Sequence, residues 1–175
     1  MKSALIIGIC GFAGSSLRIE LQNNGYDVYG ADVVSTDDRV RKVDMLNFEA
    51  CKELISDIRP DIIFNLAGQA SPQISWKDIN LTNHLNVDLS VNIVNACIES
   101  GLANTRMVFI GSANQYDNSK ISDEGLISED APLSDDSPYS ISKNTQEAVL
   151  RLLANKYKNI SNHLHIPLYS LFILL

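Results

Sequence analysis

Three closely spaced glycines that follow a short apolar run constrain the fold of this chain more than any other feature. The run ALIIGI (4–9) is continuously apolar, as in a strand that is buried on both faces of a parallel sheet. Gly8, Gly11 and Gly14 then lead into a helical pattern over residues 13–24. Glycine permits a sharp strand-to-helix turn, close approach of a pyrophosphate to the backbone, and tight packing of the helix on the sheet. The segment therefore predicts a dinucleotide-binding turn, with the phosphates at the helix N-terminus.

The rest of the chain alternates between strand-like and helix-like segments. Further strand-like runs lie at 26–34, 41–46, 61–67 and 106–112, and further helical patterns at 47–58, 80–100 and 138–158. Such alternation predicts an α/β fold, a doubly wound parallel sheet (Rossmann fold) with helices on both faces. We expect residues 1–175 to form one domain.

The helix predicted over 80–100 has an apolar residue at every fourth position. These residues are Leu81, Leu85, Leu89, Ile93 and Cys97. Side chains at this spacing share one face of a helix, so we expect a single apolar stripe along it. A polar loop at 113–136 precedes the last predicted helix, where Ser137 has the character of an N-cap and Pro138 that of a first helical residue.

Charge and cysteine usage narrow the classes of function. Fourteen basic residues stand against 21 acidic ones, the net charge is −7, and the basic residues are scattered, so nucleic acid is not the expected partner. Cys10, Cys51 and Cys97 are far apart and lack metal-binding spacing. We expect reduced thiols in a cytoplasmic protein, and no metal site. The last ten residues, IPLYSLFILL, are too few to span a bilayer, so no membrane association is expected.

Asp32 stands 18 residues after Gly14, at the end of the second predicted strand. An acidic residue near this position accepts hydrogen bonds from an adenosine ribose, and its charge would repel a 2′-phosphate. NAD is therefore favoured, while Arg39 and Arg41, a few residues further on, leave NADP open. Asp44, near the end of the third predicted strand, is a candidate for binding the adenine amino group.

The segment NLAGQAS (65–71) follows the fourth predicted strand. Ligands of open α/β sheets bind outside the carboxyl ends of the strands, where this segment begins. Ala67 and Gly68 are small residues, which allow a cofactor to lie directly against the backbone. We therefore expect this segment to run along the cofactor.

The segment SPYSISK (137–143) places Tyr139 and Lys143 four residues apart, on one face of a helix. A phenol is a poor base at neutral pH, but a neighbouring ammonium and an oxidised nicotinamide both favour its phenolate form. Tyr139 is therefore predicted to exchange a proton with a substrate hydroxyl during hydride transfer, and Lys143 to donate to the nicotinamide ribose. Ser112 ends the strand-like run at 106–112 and is predicted to hold the substrate oxygen.

In this order, the motifs resemble the extended short-chain dehydrogenase/reductases, in particular the NAD-dependent sugar-nucleotide epimerases, dehydratases and reductases. The matching parts are GICGFAG, Asp32, Asp44, NLAGQAS, LNVDLSVNIVNAC, FIGSANQYD and ISEDAPLSDDSPYSISKNTQE. The resemblance implies a Rossmann fold, NAD or NADP, a nucleotide-diphosphate sugar substrate, and a catalytic set of Ser112, Tyr139 and Lys143. The cofactor contacts it implies are Gly8, Gly11, Phe12, Ala13, Gly14, Asp32, Asp44, Met45, Leu66, Ala67, Gly68, Asn86, Tyr139 and Lys143.

One departure from the family pattern narrows the expected reaction. The 4,6-dehydratases carry an acidic residue two places after the catalytic Ser or Thr, often with another acid just before it. This sequence has Asn114 and Ala113 at those places. Elimination of water needs a positioned acid and base, so a dehydratase is not expected. We expect a 4-keto reductase of a nucleotide-diphosphate 6-deoxy sugar, closest in style to the GDP-4-keto-6-deoxy-mannose reductases, with a 4-epimerase as the alternative.

A second departure concerns length. Family members continue well past the helix that carries Tyr139 and Lys143, into a smaller sugar-nucleotide domain, so we expect the substrate lobe to be missing. The resemblance implies that residues 1–175 form one NAD(P)-binding domain, in which 159–175 make an aberrant or truncated last strand. The alternatives of another class are a catalytically silent NAD-binding module and a structural subunit that pairs with a longer relative. The resemblance also implies a homodimer that forms through the helices at 80–100 and 138–158.

Overall fold

The structure, a computed structural model, describes residues 1–117, 119, 131–158, 160 and 162–166, and it is built on one parallel sheet. The strands are β1 (Ser3–Ile7), β2 (Asp27–Asp32), β3 (Val40–Lys42), β4 (Ile62–Asn65), β5 (Arg106–Phe109) and β6 (Leu164–His165). They lie side by side in the order β3-β2-β1-β4-β5-β6, and each neighbouring pair is parallel. The strand order reverses between β1 and β4, which opens a crevice at their carboxyl ends. The predicted α/β fold is confirmed.

Helices cover both faces of the sheet. They are α1 (Phe12–Asn23), α2 (Phe48–Ile58), α3 (Pro72–Ser75), α4 (Ile79–Asn83), α5 (Leu89–Glu99) and α6 (Pro138–Lys156). Because side chains alternate along a strand, Ala4 and Ile6 of β1 pack towards α1, whereas Leu5 and Ile7 pack towards α2, α5 and α6. The strand is therefore buried on both faces, and each large apolar side chain contributes about 1.5–3 kcal/mol by its burial.

The N-termini of α6 and α1 are capped differently, and this difference affects the candidate site. The Ser137 hydroxyl accepts a hydrogen bond from the Ser140 N–H at 3.1 Å, so the predicted N-cap of α6 is confirmed, with Pro138 in the first position. By contrast, the N-cap of α1 is Gly11, which has no side chain to cap the helix. The N–H groups in the first turn of α1 therefore stay available to a bound anion.

The single helix predicted over 80–100 is interrupted. A π-helical turn over His84–Asp88 joins α4 to α5. One extra residue in a turn rotates the helix face by about 100°, so an apolar stripe cannot continue across it. Leu81 is accordingly 46% exposed, whereas Leu89 is buried. The prediction of one continuous stripe was wrong.

The strands are also shorter than the sequence predicts. The predicted third strand, 41–46, is the short strand β3, and the runs at 61–67 and 106–112 leave the sheet after Asn65 and Phe109. The predicted last strand begins at Leu164–His165, where it pairs with Met107 and Val108 of β5. The remaining parts of two predicted segments, residues 118 and 120–130 of the loop and 159, 161 and 167–175 of the tail, lie outside the described residues.

All three cysteines are free thiols. Burial, with a smaller contribution from the neighbouring Cys97, raises the pKa of Cys51 to about 12, and burial raises the pKa of Cys97 to about 12. Both are therefore poor nucleophiles at neutral pH. Within the described ranges, no helix is long and apolar enough to cross a bilayer.

Gly14→Ala is expected to destabilise the fold at the first turn. A Cβ at this position would lie 2.6 Å from the Ile9 Cα, where only backbone can yield. We expect the free energy of unfolding to fall by about 3 kcal/mol, measured by urea denaturation. Ser16→Ala, on the exposed side of the same helix, is the control and should change the value by less than about 0.5 kcal/mol. Equal stabilities for the two variants would contradict the packing described for Gly14.

Candidate active site

The three glycines of the first turn have separate structural roles. Gly8 has φ +82°, and a Cβ there would lie 2.7 Å from the backbone N of Ala67, so it lets the β1 and β4 loops approach each other. Gly14 brings α1 against the backbone of Ile9. A Cβ on Gly11 would meet only the Gly8 carbonyl oxygen, at 3.3 Å, and Gly11 is exposed. Gly11 is thus the glycine that keeps space open in front of the helix N-terminus.

A cleft of about 460 Å³ lies at the carboxyl ends of β1, β2 and β4, and we refer to it as the main cleft. Its lining is Ile7, Gly8, Cys10, Gly11, Ala31, Asp32, Val33, Val34, Val43, Asp44, Met45, Leu66, Ala67, Gly68, Leu85 and Leu89. Eight of the predicted cofactor residues are among them: Gly8, Gly11, Asp32, Asp44, Met45, Leu66, Ala67 and Gly68. A mostly apolar cleft with a few convergent polar groups is typical of a cofactor site.

Asp32 is held at the rim of the main cleft by backbone groups. Its Oδ2 accepts a hydrogen bond from the Cys10 N–H at 3.0 Å, and its Oδ1 accepts one from the Val33 N–H at 2.8 Å. A carboxylate oxygen can accept more than one hydrogen bond, so both oxygens retain capacity for a ligand hydroxyl. The contact with Cys10 also fixes the carboxylate relative to the glycine turn.

Arg39 points away from Asp32. Its guanidinium donates to the Asp27 carboxylate at 2.9 Å and lies 5.0 Å from the centre of the Tyr29 ring. Asp27 begins β2 and Asp32 ends it, so the two carboxylates lie at opposite ends of the strand. Arg41 is exposed on β3. In this arrangement Arg39 does not neutralise the charge at the rim of the cleft.

A second, smaller cavity of about 140 Å³, here called the inner cavity, shares the wall formed by Leu66, Ala67 and Gly68 with the main cleft. Its lining is Ala13, Asn65, Leu66, Ala67, Gly68, Gln69, Ala70, Ile110, Gly111, Tyr139 and Lys143. The helix therefore brings Tyr139 and Lys143 to one cavity, one turn apart, as their spacing predicts. Tyr139 is buried, and its backbone N–H donates to the Ser75 hydroxyl at 3.1 Å.

Lys143 is an unusual lysine because it is only 8% exposed. Its Nζ donates to the Ile110 carbonyl at 2.8 Å and to the Gln146 Oε1 at 3.0 Å. No carboxylate pairs with it among the described residues. Burial therefore lowers the pKa of Lys143 to about 8. An ammonium has three N–H donors, so one remains for a ligand after these two bonds.

Ser112 and Phe12 do not line either cavity. Ser112 caps a 3₁₀ turn over Ala113–Gln115, with its hydroxyl accepting a bond from the Asn114 N–H at 3.2 Å. Phe12, the first residue of α1, is 93% exposed. Their predicted contacts with ligands remain predictions.

Asn86 also lies outside the lining of both cavities. Its Oδ1 accepts from the Gln69 N–H at 2.9 Å, and its Nδ2 donates to the Gln69 carbonyl at 3.1 Å and to the Ser142 hydroxyl at 2.9 Å. A Cβ on Gly68 would lie 2.6 Å from the Asn86 Oδ1. In this structure the side chain of Asn86, which was predicted to contact the cofactor, is occupied in joining the β4 loop to α6.

Sequence reasoning missed a second link to α6. The buried Gln115 accepts from the Ser112 N–H at 2.7 Å and donates to the Glu147 carboxylate at 2.8 Å, and Glu147 pairs with Arg151 at 2.6 Å. This link holds the turn after Ser112 against the helix that carries Tyr139. The Ser-x-x-Gln spacing at 112–115, a capping-box pattern, was the available signal.

Metal ligation has no support in the described part of the chain, where no group of three or more His, Cys, Asp or Glu residues is close enough to hold an ion. Tyr139 and Lys143 instead provide a buried phenol and a buried amine in one cavity, beside an apolar cleft. That combination suits proton transfer next to a bound cofactor.

Solved structures share this fold. A UDP-Glc/GlcNAc 4-epimerase from Campylobacter jejuni superimposes with a TM-score of 0.80, at 20% identity, over 91% of this chain and 51% of that one. A UDP-glucose 4-epimerase from Thermus thermophilus, in complex with NAD, gives 0.75 at 24% identity, over 89% and 52%. A dTDP-4-dehydrorhamnose reductase from Clostridium acetobutylicum gives 0.74 at 19% identity, over 94% and 51%.

Sequence comparison finds curated relatives and a family. Methionine adenosyltransferase 2 subunit beta of Xenopus laevis is 27% identical over 124 residues, which are 69% of this chain and 37% of that protein. The same subunit of Pongo abelii is 24% identical over 118 residues, 67% of this chain and 34% of that protein. The chain thus spans about a third of the length of these relatives. A family model matches residues 4–167, and the chain accordingly belongs to the NAD dependent epimerase/dehydratase family.

Proposed function

We propose that this chain is the cofactor-binding and catalytic part of an NAD-dependent sugar-nucleotide oxidoreductase, which reduces the 4-keto group of a nucleotide-diphosphate 6-deoxy sugar. The observation that carries the proposal is the convergence of Tyr139 and Lys143 on the inner cavity, beside the main cleft. A phenol and a buried amine one turn apart provide what protonation of a developing alkoxide needs. Membership of the epimerase/dehydratase family agrees with this chemistry.

The main cleft fits a dinucleotide. The N-terminus of α1 has free N–H groups, and Gly11 leaves the space in front of them open, as a pyrophosphate requires. In the proposed complex, Asp32 accepts from the adenosine ribose, and Asp44 and Met45 lie beside the adenine. Leu66, Ala67, Gly68 and Ala13 would lie along the rest of the cofactor, which supplies the hydride when bound.

The proton chemistry belongs to the residues of the inner cavity. Tyr139 is proposed to donate its phenolic proton to the substrate oxygen, and to recover one from solvent through the open side of the cavity. Lys143, with one N–H unused, is proposed to hold a ribose hydroxyl and to favour the phenolate of Tyr139. Ser112, on the turn after β5, is proposed to orient the substrate oxygen once a sugar nucleotide is bound.

Reductase and epimerase chemistry both fit this set of residues. Proteins with the same fold include UDP-glucose 4-epimerases and dTDP-4-dehydrorhamnose reductases, whose names cover both reactions. The turn after Ser112 offers Ala113 and Asn114 where dehydration needs an acid, which argues against a dehydratase. We propose the reductase, with a GDP-linked sugar as the first substrate to try, and keep the 4-epimerase as the alternative.

A subunit that binds NAD without turnover is the second candidate. The curated relatives are named as the beta subunit of another enzyme, methionine adenosyltransferase 2, which favours this reading. The two candidates share the main cleft and differ in whether Tyr139 transfers a proton. Oxidation of NADH by 4-keto sugar nucleotides separates them, because a silent subunit would bind NADH and leave it unchanged.

A homodimer is also part of the proposal. Ile79 and Leu81 on α4 and Ile141 on α6 are each about half exposed, and these helices are packed against each other. Apolar side chains on adjacent helices form a natural interface. We expect a dimer by light scattering, and dissociation on Ile141→Asp; a monomeric wild-type chain at micromolar concentration would reject the interface.

Tyr139→Phe is expected to remove turnover without removing cofactor binding. The variant keeps the ring that fills the cavity and loses only the transferable proton, so we expect a rate lower by about 10²–10⁴-fold. NADH affinity, followed by fluorescence enhancement, should stay within about threefold, because the phenol is one of many contacts. Tyr157→Phe, at the far end of α6, is the matched control. Unaltered turnover in Tyr139→Phe would reject the proton-transfer role.

Asp32→Ala is expected to change cofactor preference. Removing the carboxylate eliminates its repulsion of a 2′-phosphate, so the ratio of NADPH to NADH affinity should rise by about 10-fold or more. Asp38 is an exposed acid in the loop that follows β2, and Asp38→Ala tests whether the loss of any one negative charge is enough to change this ratio. A ratio that moves equally in both variants would count against a specific ribose contact.

A further inference from the structure

The side chain of Lys143 is held by a chain of neutral hydrogen-bonding groups that crosses the structure from β4 to α6. Lys143 donates to the Gln146 Oε1 at 3.0 Å, and the Gln146 Nε2 donates to the Ser90 hydroxyl at 2.7 Å. The Ser90 oxygen also accepts from the Asn65 Nδ2 at 3.2 Å. Gln146, Ser90 and Asn65 are each at most 3% exposed, so water does not compete for these bonds.

A helix carbonyl determines the direction of this chain. The Ser90 hydroxyl donates its one proton to the Asn86 carbonyl at 2.9 Å, a carbonyl of the π-helical turn. Its oxygen can therefore only accept from other partners. The amide of Gln146 must then present its NH₂ group to Ser90 and its carbonyl to Lys143. An acceptor facing the ammonium is thus built into the packing of α5 against α6.

The fixed direction of the hydrogen bonds also explains why the Oδ1 of Asn65, at the β4 end of this chain, is unpaired. Because Asn65 must donate to Ser90, its Oδ1 is left buried without a partner in the described structure. Asn65 and Lys143 both line the inner cavity, although the Asn65 Oδ1 atom itself is buried. The orientation of both ends depends on Ser90 and Gln146.

We propose that Gln146 is a positioning residue, which holds the ammonium of Lys143 in the orientation that the inner cavity uses, with the direction of its amide set by Ser90. The use of this orientation in ligand binding rests on the proposed function. The hydrogen-bond geometry itself does not depend on any ligand. Gln146 contacts neither cavity, so it acts only through Lys143.

The electrostatic surroundings of Lys143 make this role measurable. Among the described residues that line the inner cavity, Tyr139 is the other titratable side chain. The two hydrogen-bond partners of the ammonium, the Ile110 carbonyl and the Gln146 Oε1, are neutral, as are Ser90 and Asn65 behind Gln146. Burial alone accounts for the lowered pKa of Lys143, about 8. Removing or charging the Gln146 carbonyl should therefore displace the titration of Lys143 in opposite directions.

The test is competitive acetylation of the individual lysines at a series of pH values, read by mass spectrometry on the free protein. In the wild type, we expect the midpoint for Lys143 well below those of the surface lysines. Gln146→Leu removes an acceptor of the charged form and should lower the midpoint, whereas Gln146→Glu places a carboxylate there and should raise it. Thr145→Val, exposed one residue away on α6, should leave it unchanged.

NADH binding is the second readout. Gln146→Leu should lower the affinity for NADH about 10-fold, equal to about 1.4 kcal/mol, because the third N–H of Lys143 would no longer be directed into the inner cavity. Gln146→Glu keeps an acceptor of the same size towards Lys143 but loses the donor to Ser90, so it should recover part of that loss. A Lys143 midpoint that moves in the same direction, or not at all, in both variants overturns the proposal, as does an unchanged NADH affinity in Gln146→Leu.

The two readouts distinguish this proposal from the proposed function. Acetylation needs no cofactor. If the wild-type protein fails to bind NADH while the two Gln146 variants displace the Lys143 midpoint in opposite directions, the proposed function is rejected and Gln146 is retained as the residue that orients Lys143. If Gln146→Leu does not fold, the isosteric Gln146→Glu decides alone. Its midpoint must rise, and an unchanged midpoint rejects the role.

Discussion

The contact between the backbones that follow β1 and β4 is the constraint on which the candidate site depends. Gly8 meets the backbone of Ala67 at a distance that no other residue type permits. Strands β1 and β4 are neighbours from which the sheet grows in opposite directions, so their loops diverge above this contact. The wall of Leu66, Ala67 and Gly68 that results serves both the main cleft and the inner cavity. One close approach therefore aligns a cofactor-sized cleft with a cavity that holds a phenol and an amine.

A polar layer between α5 and α6 has the complementary role. Asn86 joins the β4 loop to Ser142, and Ser90 joins Asn65 to Gln146, so four segments meet through directional bonds instead of apolar packing alone. Directional bonds between buried polar groups restrict how these segments can be arranged, although the Asn65 Oδ1 stays unpaired. The π-helical turn contributes directly, because it carries both Asn86 and the carbonyl that accepts from Ser90. Such turns are frequent at functional sites, and here the turn orients the residues behind the inner cavity.

The sequence predicted those features that depend on residues close to one another along the chain. The buried strands, the glycine turn, the cap at Ser137 and the shared face of Tyr139 and Lys143 follow from local spacing and composition, and the structure confirms them. What it did not predict depends on contacts between distant segments. Asn86 matched a family motif, but its side chain bonds to Ser142, 56 residues away. The lowered pKa of Lys143 likewise arises from burial by segments that no periodicity reveals.

The burial of Lys143 has a consequence for the proposed function that spacing alone does not imply. With a pKa of about 8 and no carboxylate partner among the described residues, the ammonium is mostly charged at neutral pH but poorly stabilised. Ligand hydroxyl oxygens that accept its third N–H favour the charged form and raise its pKa. Binding and protonation of Lys143 therefore strengthen each other, and affinity for the proposed cofactor should decline as the pH rises above about 8. A lysine with a surface carboxylate partner would lack this coupling, since its charge would already be stabilised before any ligand arrived.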